Sequence, residues 1–430
     1  MKQQEFKGEI TAFLSLVFIL LISFVGSMIQ SASIQITRSI KRADTELALE
    51  SVFAEYNKEM LEEYGVFVKL DGDETKLSRR LWFYGAKNME HQIKRMQLLT
   101  DNNGEAFYEQ AVKLMGGDVA QIPQISRETV ETEAENNARQ LTEVLQKEEQ
   151  ELPKENNPIE NVNQLKKSSL LSLILSDSEE VSSRYIVLEE LPSHRNLKSG
   201  KGDFEILQEI GFTQKALFST YLTERFSNFT QSNQQNALFY ETEYLLAGFE
   251  SDQENLEAVA KRILSVRMAL NYAYLLSDHG KQAEAEAMAL TLGSVLGIPG
   301  TNILIKQAIL FSWAYGEGVL DLRILFAGKR VPFVKNSENW QLKLENLVKL
   351  GTTEEVKEEK ESIEGLNYND YIKALLVLEN KDTLSMRALD LIELNLGIRV
   401  DGCVTALEIK STLEMQLGIK DTFLTNYQYK

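Results

Sequence analysis

The first part of the chain carries a long apolar run. Ile10–Ile29 comprises twenty residues without a charge, and a helix of that length spans about 30 Å, the thickness of the hydrocarbon core of a bilayer. The apolar region of a signal peptide is shorter, about 7–15 residues. The run therefore predicts a retained membrane anchor. We place a transmembrane helix at residues 10–33, in contact with the lipid bilayer through residues 10–29, after a short tail at residues 1–9.

Beyond this run, apolar residues continue at helical spacing. They recur at gaps of three and four, and neither Gly nor Pro occurs between Gly26 and Gly65. This spacing is typical of one face of an amphipathic helix. We expect a single helix that leaves the membrane and runs as a stalk to about Tyr64. Its predicted packing face is formed by Leu49, Phe53, Tyr56, Met60 and Tyr64.

The membrane segment also contains a row of small residues. Thr11, Ser15, Ser23 and Ser27 are separated by multiples of four positions, and Gly26 lies beside them. Small residues let helices approach each other closely in lipid. The row predicts a helix-assembly face, and ordinary membrane-helix composition is the alternative interpretation.

The pattern after the stalk predicts an α+β domain in which helices dominate. Helical spacing covers Leu77–Met96, Gly104–Met115 and Asn369–Leu396. Ser183–Pro192 reads as a strand, and the alternation at Cys403–Leu417 predicts a strand or hairpin near the C-terminus.

The apolar segment Thr301–Phe326 has the length of a second membrane span. It contains Lys306, Glu317, Asp321 and Arg323, and unpaired charges of this kind are costly in lipid. We therefore interpret it as a core helix.

These patterns divide the chain into five segments. They are a short tail (1–9), a transmembrane helix (10–33), a stalk with the first part of a globular domain (34–115), an acidic polar linker or helical excursion (116–161), and a helix-rich α+β domain (162–430).

Charge and cysteine content narrow the function classes. The chain has 430 residues, 46 Lys and Arg, 64 Asp and Glu, and a formal net charge of −18. This balance argues against a nucleic-acid partner, because phosphate contacts require clustered basic residues. Cys403 is the single cysteine, so an intramolecular disulfide is excluded.

No motif in the sequence indicates catalysis. The histidines lack metal-ligand spacing, and no GxSxG nucleophile motif occurs. Glu317 and Asp321, one helical turn apart, are the best candidates for a general acid–base pair. We favour a structural role in which they pair with Arg323, Lys306 or the backbone. The sequence thus predicts no enzyme, no metal ligands and no cofactor.

Four segments carry a resemblance to known proteins. They are the opening GEITAFLSLVFILLISFVGSMIQSASI, Arg42–Phe67, Phe239–Leu256 and Trp313–Trp340. They resemble an uncharacterised family of Gram-positive bacterial proteins, containing a domain of unknown function, that is encoded with tight-adherence (Tad/Flp-type) pilus genes. The opening is similar to the TadE/TadG-like, pseudopilin-type N-terminus, in which a hydrophobic helix with a short cytoplasmic tail holds an external domain.

The resemblance implies a structural or assembly role outside the cytoplasm, with other Tad-type pilus or pseudopilin components as partners. Prepilins typically carry a glycine before the cleavage site and a glutamate at the fifth mature position. Here Glu9 directly follows Gly8 and the fifth position is Phe13, so we expect an unprocessed anchor. The alternative function is an anchored extracytoplasmic ligand-binding or sensor domain.

Overall fold

The structure is a computed structural model of the chain. It describes residues 2–116, 157–175, 180–202, 204, 211–296, 302–352, 364–415 and 418–429. Most of the acidic linker predicted at 116–161 lies outside these residues. The chain forms two compact units. Unit 1 comprises residues 1–102, 197–206 and 399–430, and unit 2 comprises residues 103–196 and 207–398.

Unit 1 combines helices with one small sheet. Its main elements are α1 (Lys2–Phe53), α2 (Lys58–Tyr64), α3 (Glu74–Phe83), β1 (Glu90–Leu98), β2 (Val404–Glu414) and β3 (Lys420–Gln428). The three strands are antiparallel in the order β1-β2-β3. Ile93 lies opposite Ile409 in this register, and both are buried.

The C-terminal part of α1 packs along β3. Near the start of the strand, Arg38 Nε lies 3.3 Å from Asp421 Oδ2. Near its end, the ring of Phe53 stacks on Tyr427 with 4.5 Å between centroids. The strand therefore runs parallel to the last turns of α1. The core of unit 1 consists of Ala48, Leu49, Val52, Phe53, Leu77, Leu81, Ala86, Ile93, Met96, Leu98, Val404, Leu407, Ile409 and Tyr429.

These units differ from the predicted division into segments 34–115 and 162–430. The C-terminal strands belong to the same unit as the N-terminal helix. Strand β1 pairs with β2, for example at Glu90 and Thr412, although most of the chain separates the two strands in sequence. A strand needs a partner for its backbone groups, and the partner of β1 is remote in sequence.

The prediction that the stalk helix continues to Tyr64 is wrong. The helix ends at Phe53, and α2 begins after a short connection. Asn57 has an extended backbone and its side chain accepts a 2.6 Å hydrogen bond from the Met60 N–H. It therefore acts as the N-cap of a new helix. The Tyr429 hydroxyl donates to the Phe53 carbonyl where α1 ends.

Two further predictions are wrong. The helix predicted at Leu77–Met96 is interrupted by Gly85 (φ 114°) and Asn88 (φ 61°), and its second half is β1. The strand predicted at Ser183–Pro192 is a single bridge and a 3-10 turn. Tyr185 is 73% exposed and Ile186 is buried, but an isolated bridge does not make the ladder of hydrogen bonds that a strand requires.

Unit 2 is helical throughout its described elements. The first helix, α4 (Asp101–Leu114), starts in unit 1 and continues into unit 2. The others are α5 (Pro158–Leu165), α6 (Leu170–Ile174), α7 (Phe212–Arg225), α8 (Glu241–Ala247), α9 (Asp252–Ser277), α10 (His279–Leu296), α11 (Asn302–Phe326), α12 (Tyr368–Leu378) and α13 (Lys381–Leu396). The fold as a whole is therefore mostly helical with a small sheet, which confirms the α+β class.

The central helix of unit 2 is α11, the segment that we interpreted as core. Trp313 and Leu322 on it are fully buried. Gly316 is needed for close packing, because a Cβ there would lie 2.5 Å from the Leu342 side chain and 2.6 Å from the Leu347 side chain.

We expect Phe53→Ala to lower the free energy of unfolding of unit 1 by about 3–5 kcal/mol, because it leaves a cavity beside Tyr427 and Tyr429. The matched control is Leu47→Ala, also on α1 but 61% exposed, for which we expect less than about 0.5 kcal/mol. Both losses of unfolding free energy are measured by urea unfolding of the full chain in detergent, with protease susceptibility of the α1–β3 region as the signal. Equal losses in the two variants would contradict the packing of α1 on the sheet.

Candidate functional site

The N-terminal helix changes its environment once along its length. Every described side chain from residue 10 to residue 33 is exposed, and burial on one side begins at Ile34. Within this exposed part, the best 18-residue window has a mean hydropathy of 2.6. By length and composition α1 is therefore a candidate membrane anchor. The change in burial coincides with the end of the predicted membrane segment.

The row of small residues lies on the exposed part of α1. The Ser15 hydroxyl donates to the Thr11 carbonyl (2.8 Å), and the Ser27 hydroxyl donates to the Phe24 carbonyl (2.8 Å). A Cβ added at Gly26 would meet no atom within 4 Å. These hydroxyls are satisfied inside the helix, as lipid would require. The helix-assembly face stays a prediction.

The predicted stalk face lies inside unit 1. Leu49 and Phe53 belong to the core beneath α1, and Met60 and Tyr64 are buried on α2. Tyr56 is half-buried between the two helices. Leu49, Phe53 and Tyr56 therefore pack the end of α1 into its own domain.

The predicted acid–base pair of α11 lies in a buried ion cluster of unit 2. Lys335 Nζ is 2.6 Å from Glu317 Oε1 and 2.7 Å from Asp321 Oδ1. Arg267 Nη2 is 2.9 Å from Asp321 Oδ2, and Asn271 donates to the same oxygen. The side chains of the two carboxylates, Lys335 and Arg267 have no exposed surface.

The cluster also fixes the backbone of the segment after α11. Glu317 accepts hydrogen bonds from the N–H groups of Gln341 and Leu342, and Arg267 donates to the carbonyls of Pro332 and Phe333. Each charged group is thus bonded on several sides, which offsets the cost of its burial.

The two carboxyls differ in their electrostatics. Burial raises the pKa of Glu317, although the ammonium of Lys335 opposes this. Burial acts in the same direction on Asp321, but Arg267 and Lys335 together bring its pKa below the ordinary value. Both carboxyls are enclosed and paired, so this geometry supports a structural role and gives a solvent-borne substrate no access to them.

Of the expected partners, the backbone is confirmed for Glu317, whereas Arg323 and Lys306 were wrong. Arg323 donates instead to the Leu173 carbonyl (2.8 Å), and Lys306 pairs with Glu286 at the surface (2.9 Å). The actual partners, Arg267 and Lys335, lie on α9 and on an irregular segment. No local spacing in the sequence indicates them.

Helix α8 carries a second set of buried carboxylates, which the sequence pattern did not predict. Glu241 accepts from the Ser227 N–H (2.9 Å), and Glu243 accepts from the Phe229 N–H and the Tyr368 hydroxyl (2.8 and 2.7 Å). Within the described part of the chain, neither carboxylate has an ion-pair partner. Burial raises the pKa of Glu243 to about 7. These side chains hold the loop that follows α7.

The possible metal ligands of the chain are His, Cys, Asp and Glu side chains. Among the described residues, no group of three or more His, Cys, Asp or Glu is placed to hold a metal ion. Cys403 is buried in unit 1.

Fold and site together define an α+β protein with a candidate N-terminal membrane anchor and a helical unit held by buried charges. Residues 148–415 match DUF5702, a family of unknown function. Because the match covers more than half of the chain, the protein belongs to this family. No curated protein and no solved structure matches it. The matched region contains the ion cluster, and α1 precedes it.

We expect Lys335→Met to lower the free energy of unfolding by about 3–5 kcal/mol, because it leaves the buried Glu317 without a cation. The control is Lys306→Met, which breaks a surface pair worth about 0–1 kcal/mol. Urea unfolding monitored by Trp313 and Trp340 fluorescence measures the difference. The double change Lys335→Met with Glu317→Leu should recover part of the loss, and a single variant as stable as the control would rule out the cluster as a stabilising element.

Glu243 predicts a pH dependence of stability. Its pKa is about 7 when folded and 4.5 in the reference state, so the folded protein holds this proton more tightly. The contribution of Glu243 to the free energy of unfolding is complete below about pH 4.5 and is lost as the pH rises through about 7. The difference is on the order of 3 kcal/mol. Glu243→Gln should flatten the fall in unfolding free energy between pH 5 and 8 by that amount.

The measurement is urea unfolding at several pH values. Glu224→Gln, at an exposed position on α7, serves as control and should keep the wild-type pH profile. Identical profiles for Glu243→Gln and the wild type would show that Glu243 titrates normally.

Proposed function

We propose that the protein is a membrane-anchored structural or assembly component of a Tad-type pilus or a related surface secretion system. The single observation that carries the proposal is the continuity of α1. One helix contains both the exposed apolar segment and the turns that form the core of unit 1.

This continuity fixes the position of unit 1 relative to the anchor. The side chains of α1 become buried on one side at Ile34, and the helix ends at Phe53, a distance of about 30 Å at 1.5 Å per residue. No linker separates the apolar segment from the domain, so unit 1 would be held upright at the membrane surface. This arrangement suits a component that transmits position or force between a membrane and an assembly.

The pilus context rests on the sequence resemblance of the opening helix to TadE/TadG-like, pseudopilin-type proteins. The orientation follows from the same resemblance, with a cytoplasmic tail and an extracytoplasmic domain. Charge does not decide it, since Lys2 and Lys7 precede the segment while Arg38, Lys41 and Arg42 follow it.

A second candidate function is a membrane-anchored ligand-binding domain. It is favoured by a cavity of about 680 Å³ in unit 1, at the end of α1. Ligand sites have volumes of about 300–1,000 Å³, so the cavity is large enough for a small molecule or a protein side chain.

Membrane attachment and orientation are tested together in intact cells. We expect the full chain to fractionate with membranes and unit 2 to be cut by external protease. Leu20→Arg, at the centre of the apolar segment, should shift most of the protein to the soluble fraction, because a charge there costs about 3 kcal/mol on insertion scales. Leu47→Arg, beyond the segment, is the control and should stay in the membrane.

A sheared surface-fibre fraction distinguishes a fibre subunit from an assembly component that stays at the membrane. Protein recovered with the fibres would be a fibre subunit, and protein that remains with the membrane would be an assembly component. Protection from external protease until lysis would refute the extracytoplasmic placement.

A further inference from the structure

The cavity of unit 1 has aromatic walls. It is lined by Glu50, Phe53, Ala54, Tyr56, Phe67, Asn426, Tyr427, Gln428 and Tyr429. Tyr56 and Phe67 meet edge to face at 5.2 Å, and Phe67 stacks on Tyr429 at 5.5 Å. Tyr56, Phe67 and Tyr427 are only half-buried, so these three rings present surface to an occupant.

The cavity carries one charged group, the carboxylate of Glu50. This side chain is exposed, and among the described residues no cation lies within ion-pairing distance of it. Aromatic faces attract ammonium and guanidinium groups, and a carboxylate adds a charge-assisted hydrogen bond. The chemistry of the cavity therefore suits the end of a lysine or arginine side chain.

A strip of apolar side chains on α1 leads to this cavity. Ile36, Ile40 and Leu47 are 60%, 53% and 61% exposed, and Ala43 lies between them. Their separations of four, three and four residues are those of a coiled-coil seam. The next two positions of the same seam are Glu50 and Ala54, which line the cavity. We call Ile36, Ile40, Ala43 and Leu47 the outer stripe.

We propose that the outer stripe and the cavity together bind one partner, an α-helix of another membrane-anchored protein. The partner helix runs parallel to α1, places apolar residues on the outer stripe, and inserts a lysine or arginine side chain into the cavity to pair with Glu50. This proposal rests on the proposed function in one respect, that both helices are anchored in the same membrane.

Charge complementarity selects a different protein over a second copy of this chain. In a parallel, in-register dimer through the outer stripe, Glu50 would face Glu50 at a seam position. Like charges at such a position repel each other, whereas a basic residue there satisfies the free carboxylate.

The proposal is tested with the full chain in phospholipid nanodiscs and a labelled synthetic peptide. The peptide is a three-heptad amphipathic helix with leucine at the seam positions and one arginine placed to meet Glu50, and a matched peptide carries glutamine instead. Fluorescence anisotropy gives the Kd of each peptide. The variants are Glu50→Gln, Leu47→Ser and, as matched control, Glu62→Gln at an exposed position of α2 outside the cavity.

We expect the arginine peptide to bind about fivefold more tightly than the glutamine peptide, as a carboxylate and aromatic rings together would produce. Glu50→Gln should abolish this preference, and Glu62→Gln should retain it. Leu47→Ser should weaken both peptides by roughly tenfold, because buried apolar area is lost. Since Glu50 and Leu47 are exposed, these variants should keep the fold, which circular dichroism checks.

Three results would overturn the proposal. The first is equal affinity for the two peptides. The second is competition by free N-acetyl-arginine methylamide as strong as that of the arginine peptide, which would make a free small cation the ligand. The third is a dimer of the unmodified chain in the nanodiscs that Leu47→Ser dissociates, which would place a second copy on the outer stripe. Because the nanodisc affinities do not depend on cellular location, a cytoplasmic domain in the protease experiment would refute the proposed function alone.

Discussion

Unit 1 depends on the burial of the last turns of α1 against a sheet whose strands come from opposite ends of the chain. Leu49, Val52 and Phe53 supply the helix side of this core, and residues 404–428 supply two of the three strands. Because β1 pairs with a strand about three hundred residues later, unit 1 is complete only when the whole chain is present. Contacts this remote are slow to form, whereas Leu77 and Leu81 of α3, which belong to the same core, are close to α1 in sequence.

Unit 2 buries charge in two ways. Around α11, carboxylates and cations pair with each other, so that each buried charge has a counter-charge in contact with it. Around α8, Glu241 and Glu243 are held by N–H and O–H donors, no cation of the described segments pairs with them, and their burial raises both pKa values. The second arrangement fixes a loop at the cost of stability above neutral pH, because the ionised form is poorly solvated there.

The parts of this structure that sequence could predict are those with a local signal. The charges within Thr301–Phe326 identified a core helix, and the alternation after Cys403 identified the C-terminal strands. The end of α1 depends on a single N-cap, Asn57, in a segment without Gly or Pro. The partners of Glu317 and Asp321 could not be predicted, because tertiary packing alone brings Arg267 and Lys335 to them.

The two faces of α1 differ in how far their apolar side chains are buried. One face becomes buried within unit 1 from Ile34 onward, while Ile36, Ile40 and Leu47 on the other face remain exposed to water. Fully burying an aliphatic side chain of this size is worth about 1.5–3 kcal/mol. A helix held rigidly in its own domain loses little further conformational entropy when a second helix packs on it. The exposed face is therefore preorganised for association, and the carboxylate at its end determines which helices can use it.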